Sequence, residues 1–260
     1  MSAQLLRALR PLLIPSLVLA AWALAVHRHL APPELLPPIG AVGRAGAEQL
    51  DGGRLWAAVA ASLTRTVLGF ALAAAAGLAL GLGMGMSRWT ARIAGPTFHA
   101  YRQVAVFAWI PLISAWFGGG ESTKVAFIAV AAVTPITFNA LEGVRAVARE
   151  HVELARALEV GRLRLVTQVI LPAAAPQLLT GLHLGLVTAW LATFGSEFFL
   201  QIAPGVGPIL VEGRALGRMD LVLFGIAVIG LVGAGLNAVM FAIEHLALRW
   251  RPPRRAAGTA

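Results

Sequence analysis

Residues Glu142–Pro172, EGVRAVAREHVELARALEVGRLRLVTQVILP, form the most charged stretch of the chain and lie between two long apolar runs. A simple connector at such a place would be short and rich in turn residues. This one has the composition of helix. Arg145, Arg149, Glu153 and Arg156 share one face, while Val147, Val152, Ala155 and Leu158 lean to the other. The spacing predicts helix-surface ion pairs Arg149–Glu153 and Glu153–Arg156, each worth a few tenths of a kcal/mol. Gly161 suits a helix end, and Pro172 is expected to end or kink a second short helix. Amphipathicity alone fits a helix pair lying at the membrane surface. It also fits a knob of two helices joined at a sharp turn, of a kind that inserts in a partner's groove.

The rest of the chain gives this polar island its meaning. Of 260 residues, 58% are hydrophobic and 13% charged, mean hydropathy is +0.77, and Cys is absent. Ordinary globular domains carry about 25% charged residues, so a soluble surface could not be covered. The apolar content excludes disorder, and the lack of Cys excludes a disulfide scaffold and thiolate chemistry. Apolar runs fall at about Leu9–Val26, Trp56–Met86, Ala100–Phe117, Lys124–Leu141, Gln177–Leu200 and Leu221–Ala247. A spanning helix needs about 20 apolar residues, so the fold expected is all-α, a polytopic membrane protein with six transmembrane helices. The third run is the least regular, with Arg102 and Gln103 near its start and Pro111 inside. In the second, Gly69, Ala73, Gly77, Gly81 and Gly85 recur every four positions, a stripe that lets helix backbones approach closely.

Net charge is +9 and the isoelectric point about 11.6. With the N-terminus inside, the inner segments hold Arg7, Arg10, Arg88, Arg92, Arg145, Arg149, Arg156, Arg162, Arg164 and the four arginines from Arg249 to Arg255. The outer segments hold fewer: Arg28, Arg44, Arg54, Lys124, Arg214 and Arg218. This bias predicts N-in and C-in, with Glu142–Pro172 in the cytoplasm. It accounts for the basic charge without nucleic acid, and no basic face interleaved with stacking aromatics is present.

Glu153–Pro172, ELARALEVGRLRLVTQVILP, resembles the EAA loop of ABC importer permeases. That loop has a Glu-Ala-Ala start, a Gly six residues after the Glu and a terminal Leu-Pro. Glu153 takes the Glu, Ala155 the second Ala, and Leu171-Pro172 the Leu-Pro. Leu154 replaces the first Ala and Glu159 the Gly, so Gly161 is the alternative place for the turn. SLTRTVLGFALAAAAGLALGLGMG, FAWIPLISAWFGGGES, TGLHLGLVTAWLATFGSEFF and RMDLVLFGIAVIGLVGAGLN are similar to the nitrate/sulfonate/taurine branch of those permeases. The likeness extends over about residues 55–251. It implies the type I ABC importer permease fold, with a first span and Pro-rich periplasmic loop at 1–54, a permease domain at 55–251 and a basic cytoplasmic tail at 252–260. It also implies cytoplasmic ATPase subunits, a periplasmic solute-binding protein, a second permease copy and an inner-membrane location. ATP and Mg would belong to the partner ATPase, with no cofactor or metal in this chain. The ATPase-coupling residues implied are Arg149, Glu153, Ala155, Arg156, Glu159, Gly161, Arg162, Leu171 and Pro172. Gly161→Pro or charge reversal at Glu153 is expected to abolish docking.

The sequence has no GxxxxGK[ST] phosphate loop, in keeping with ATP hydrolysis on another chain. Polar groups inside spans are costly and are candidates for the substrate path or its gating: Asn139, Thr193, Ser196, Glu197 and Arg102. The competing role for Glu197 is a structural pair with Arg102 or Arg65, and for Asn139 and Thr193 interhelical hydrogen bonding. Trp109, Trp116 and Trp190 read as packing or interface anchors. A serine protease at Ser196 is excluded because His183 lies thirteen residues earlier on the same helix, about 19 Å along its axis. No HExxH or paired DxxD occurs. The remaining alternative is a secondary transporter or channel subunit with no ATPase.

Overall fold

The computed structural model describes residues 3–201 and 204–249, with side chains from Leu13 onward. The side chains of Arg7 and Arg10 and all of the tail 252–260 lie outside the described residues. The described elements are helices: α1 (Ala3–His27), α2 (Ile39–Asp51), α3 (Arg54–Met86), α4 (Arg88–Tyr101), a 3-10 turn (Val106–Trp109), α5 (Ile110–Phe117), α6 (Glu121–Arg145), α7 (Arg149–Ala157), α8 (Arg162–Arg164), a π turn (Leu165–Ile170), α9 (Leu171–Phe199), α10 (Val206–Ala215) and α11 (Met219–Ala247). Arg54–Met86, Glu121–Arg145, Arg162–Phe199 and Met219–Ala247 are long and apolar enough to cross a membrane, and Leu13–His27 and Val106–Phe117 are shorter apolar helices. Contacts group the chain into two units, residues 1–59 with 204–230, and residues 60–203 with 231–260.

In the second unit α6 is the central helix, with Phe127, Ile128, Ala132, Ile136 and Ala140 fully buried. The glycine stripe of α3 sets its register. A Cβ added at Gly69 would lie 2.5 Å from Ile128, at Gly77 2.9 Å from Ile136, at Gly81 2.5 Å from Ala140 and at Gly85 2.6 Å from Val144. Both members of these pairs rise together along the chain, so α3 and α6 are parallel. On α9 the order reverses: a Cβ at Gly185 would meet Ile136, and one at Gly181 would meet Asn139. α9 is therefore antiparallel to α6. α11 is in turn antiparallel to α9, with Gly233 against Trp190 and Glu244 against His183.

The parallel α3–α6 pair requires the chain to return between Met86 and Glu121. The sequence predicts a single helix over Ala100–Phe117 for that crossing, and the structure corrects this. α4 ends at Tyr101, and helix resumes only in the 3-10 turn and α5. Pro111 accounts for where α-helix resumes. It has no N–H to donate, which costs about 3 kcal/mol inside a helix and nothing in a first turn, and Pro111 sits in the first turn of α5. Pro135, by contrast, lies inside α6 without ending it.

In the first unit, Gly46 lies against Phe224 and Gly225 against Leu210. α10 ends with Gly217 at φ +67°, a left-handed cap that suits glycine. Arg218 then bonds Asp220 and Glu48, each at 2.9 Å, and these carboxylates hold its guanidinium well above its ordinary range.

Candidate functional site

The polar island folds as a helix, a tight turn and a second helix. α7 ends as its last amides reach back. Glu159 N–H donates to the Arg156 carbonyl and Val160 N–H to the Ala155 carbonyl, both at 3.0 Å. This Schellman pattern requires a left-handed residue at the position of Glu159, and Glu159 has φ +53°. Gly161 has φ −59° and ψ 150°, an extended conformation open to any residue. The turn therefore sits at Glu159, where the EAA pattern places glycine, and not at Gly161.

Pro172 does not end a short helix as the sequence suggests. α8, the π turn and α9 run on as one helix, Arg162–Phe199. α-type bonding restarts at Leu171 after the wide turn, so Pro172 falls in a first turn, where its missing N–H forfeits no bond.

The two faces of α7 have different neighbours. Arg149, Val152, Glu153 and Arg156, one helical stripe, line a cavity of about 790 Å³ together with Arg88, Arg162 and the α3–α4 junction. Ala155 is buried. Leu154 and Leu158 are 61% and 70% exposed, and Leu163, just past the turn, 78%. The ion pairs expected within Arg149–Arg156 do not close among the described residues. Arg145–Glu142, at 3.4 Å, forms instead. An exposed pair gains too little to fix two long side chains, and these arginines extend over the cavity. The structure thus brings Arg149, Glu153, Arg156 and Arg162 together, with Glu159 making the turn and Gly161 following it. Leu171 and Pro172 lie beyond the π turn. Sequence reasoning put Leu158 on the face opposite the arginines, where it lies, but put Val152 there too, which the structure places on the cavity side. It noted Leu154 only as a departure from the EAA pattern; the signal for the outward face was Leu154 and Leu158 four apart.

At the other end of α6 a buried charge cluster joins α3, α6 and α9. Glu197 is 1% exposed and accepts from Arg65 Nη1 and from Ser62 Oγ, each at 2.6 Å. Arg65 also forks onto Glu121, through Nη2 at 2.8 Å and through Nε. Lys124, fully buried, lies 3.6 Å from Glu121. The structural partner of Glu197 is therefore Arg65. Arg102 stands instead over the Phe138 ring, 4.9 Å from its centroid. Thr193 Oγ1 meets Thr66 Oγ1 at 2.7 Å, and Ser196 donates to the Thr193 carbonyl. Asn139 donates to the Pro135 carbonyl and accepts from Gln177 at 2.7 Å, an interhelical bond of the kind expected. His183 bonds Glu244 at 2.9 Å. Of the residues that the sequence singles out, Thr193, Ser196 and Glu197 stand in or beside the cluster, while Asn139 bonds one turn from Gly143, toward the polar island. Glu121 and Lys124 are the members that sequence reasoning left at a loop edge.

A multi-pass helical bundle whose charged turn projects between two spans is the make-up of a transport permease of the ABC importer type. The chain belongs to the family of binding-protein-dependent transport system inner membrane components, whose family model matches residues 69–250. It is 34% identical over 242 residues to the putative aliphatic sulfonates transport permease protein of Escherichia coli (strain K12), covering 93% of this chain and 92% of that one. It is 31% identical to the taurine transport system permease protein of the same organism, covering 88% and 84%. The nitrate import permease protein of Leptolyngbya laminosa is 34% identical over 190 residues, 73% of this chain and 67% of that one. The fold resembles a chain of the MetNI methionine ABC transporter, with a TM-score of 0.65 at 16% identity, covering 74% of this chain and 95% of that chain.

Proposed function

We propose that this chain is the transmembrane subunit of an ATP-driven importer for a small sulfonate-, taurine- or nitrate-like anion. A periplasmic solute-binding protein delivers the solute, and two copies of this permease form the path across the inner membrane. Two ATPase subunits dock on the cytoplasmic face and hold the ATP and Mg, so this chain hydrolyses nothing itself. Transport proceeds by alternating access. Closure of the ATPase pair on ATP favours one state of the spans through differential binding to the two, and the α7–α8 turn carries that bias.

The observation that supports this reading best is the outward apolar surface of Leu154, Leu158 and Leu163 on the most charged loop of the chain. Such a surface suits a partner's groove better than it suits water. The test is co-purification of the ATPase with Leu154→Asp and Leu158→Asp variants in membranes where the permease still inserts. Loss of the ATPase is expected. Full retention in the double variant, or solute uptake that survives a dead Walker lysine in the partner, would overturn the reading in favour of a transporter with no ATPase.

A further inference from the structure

The cavity behind the coupling turn has a chemistry of its own. Arg88, Arg149, Arg156 and Arg162 bring four guanidinium groups to its lining, against one carboxylate, Glu153. None of these five groups is in an ion pair among the described residues. The remainder of the lining is mostly apolar: Val144, Val147, Val152, Leu165, Val166 and Ile170. Gly85–Arg88, where α3 gives way to α4 at the end of a membrane span, form part of its lining. There Trp89 and Ile93 are 74% and 67% exposed, beside Arg88. Exposed Trp next to Arg at a span end is the pattern of a membrane–water interface. The α7 face that lines the cavity is also the one turned away from Leu154 and Leu158.

We propose that this cavity seats the phosphate of an anionic phospholipid headgroup drawn from the adjacent leaflet. The arginines supply charge-assisted bonds to the phosphate oxygens, and basic pockets between helices at a membrane surface hold such headgroups. The apolar lining receives the glycerol and the first carbons of the chains. The lipid would brace the inner face of α7 while the outer face engages the ATPase, so the two ligands meet opposite sides of one nine-residue helix. The proposal rests on the coupling reading only for the place of the ATPase.

The experiment uses the full-length permease purified with its ATPase in neutral detergent. Phosphatidylglycerol, phosphatidylcholine or inorganic phosphate is titrated while the unfolding midpoint is followed. Phosphatidylglycerol alone is expected to raise the midpoint. Its apparent affinity should fall about fivefold for Arg88→Gln or Arg162→Gln and roughly 25-fold for the pair, with Arg88→Lys keeping part of it. Should the variants fold poorly, the wild-type affinity for phosphatidylglycerol must still fall as salt rises. An equal shift with phosphatidylcholine, an equal shift with inorganic phosphate, salt-independent binding, or wild-type affinity in the folded double variant would overturn the proposal. Leu154→Asp separates the two readings, since it should release the ATPase and leave phosphatidylglycerol binding intact. Release of the ATPase by Arg88→Gln with unchanged lipid affinity would assign the cavity to a protein contact and overturn the lipid site.

Discussion

Replacing Glu159 by glycine should tighten the coupling turn. Glu159 holds φ +53°, and a left-handed conformation costs a residue with a Cβ about 1–2 kcal/mol. Its side chain is exposed and makes no hydrogen bond among the described residues, so little is lost with it. Glycine removes the strain but returns about 0.5–1 kcal/mol as added freedom in the open chain. The net expected is about 0.5–1 kcal/mol in favour of the closed turn, or roughly 2–5-fold in its opening equilibrium. Hydrogen exchange reads this directly at the amides of Glu159 and Val160, which donate the two capping bonds at 3.0 Å. Both should exchange roughly 2–5-fold more slowly in Glu159→Gly and at an unchanged rate in Glu159→Ala, which keeps the strain. Unchanged or faster exchange in the glycine variant, or equal slowing in the alanine variant, would refute the argument that φ governs this turn.

Gly161→Pro, which the sequence alone marks as disruptive, should be tolerated. Its φ of −59° already fits proline and open space surrounds the site, so ATPase co-purification and the unfolding midpoint should match the parent. Gly81→Leu should cost about 1–3 kcal/mol or more by overpacking, because a Cβ there already comes within 2.5 Å of Ala140 and of the Thr137 carbonyl oxygen; the midpoint of thermal unfolding checks it. Glu197→Ala should cost about 1–3 kcal/mol by leaving Ser62 and Nη1 of Arg65 facing an emptied site, while the fork of Arg65 onto Glu121 remains. Lys124→Met should cost far less, since the Lys124 ammonium makes no hydrogen bond, and a comparison of the two midpoints in one detergent tests the contrast.

The long elements were legible because hydropathy and the four-residue glycine repeat are local signals that lipid does not override. The Leu9–Val26 and Trp56–Met86 runs correspond to α1 and α3 with small changes at their ends. The break between Tyr101 and Val106 was less legible, because a proline in an apolar run reads alike whether it kinks a helix or starts one. Helices α2 and α10 were not anticipated, since residues 39–51 and 206–215 are neither apolar enough to span nor strongly patterned. In the coupling loop the order of residues gave the position of the turn region. It did not give the residue that bends, because a left-handed glutamate goes against its own preference and only the closing hydrogen bonds of α7 enforce it. The partner of Glu197 was open between two arginines, and helix register decided it. Arg65 lies one turn before Gly69, at the level of Lys124 and within reach of Glu121, whereas Arg102 stands over Phe138, well along α6 toward its loop end.

That register has a mechanical consequence. Gly77, Gly81 and Gly85 of α3 stand four residues apart, about 6 Å along the axis, with Ala73 and Gly69 continuing the stripe, and each of these four glycines receives a side chain of α6 with no room for an added methyl group. The two helices mesh like a rack with one tooth per turn. Slippage smaller than a tooth drives a side chain into backbone, so any pull on the loop end of α6 passes into α3 without backlash. The give needed for transport must then come from joints elsewhere, and π turns, such as the six residues at the foot of α9, are where helices often hinge.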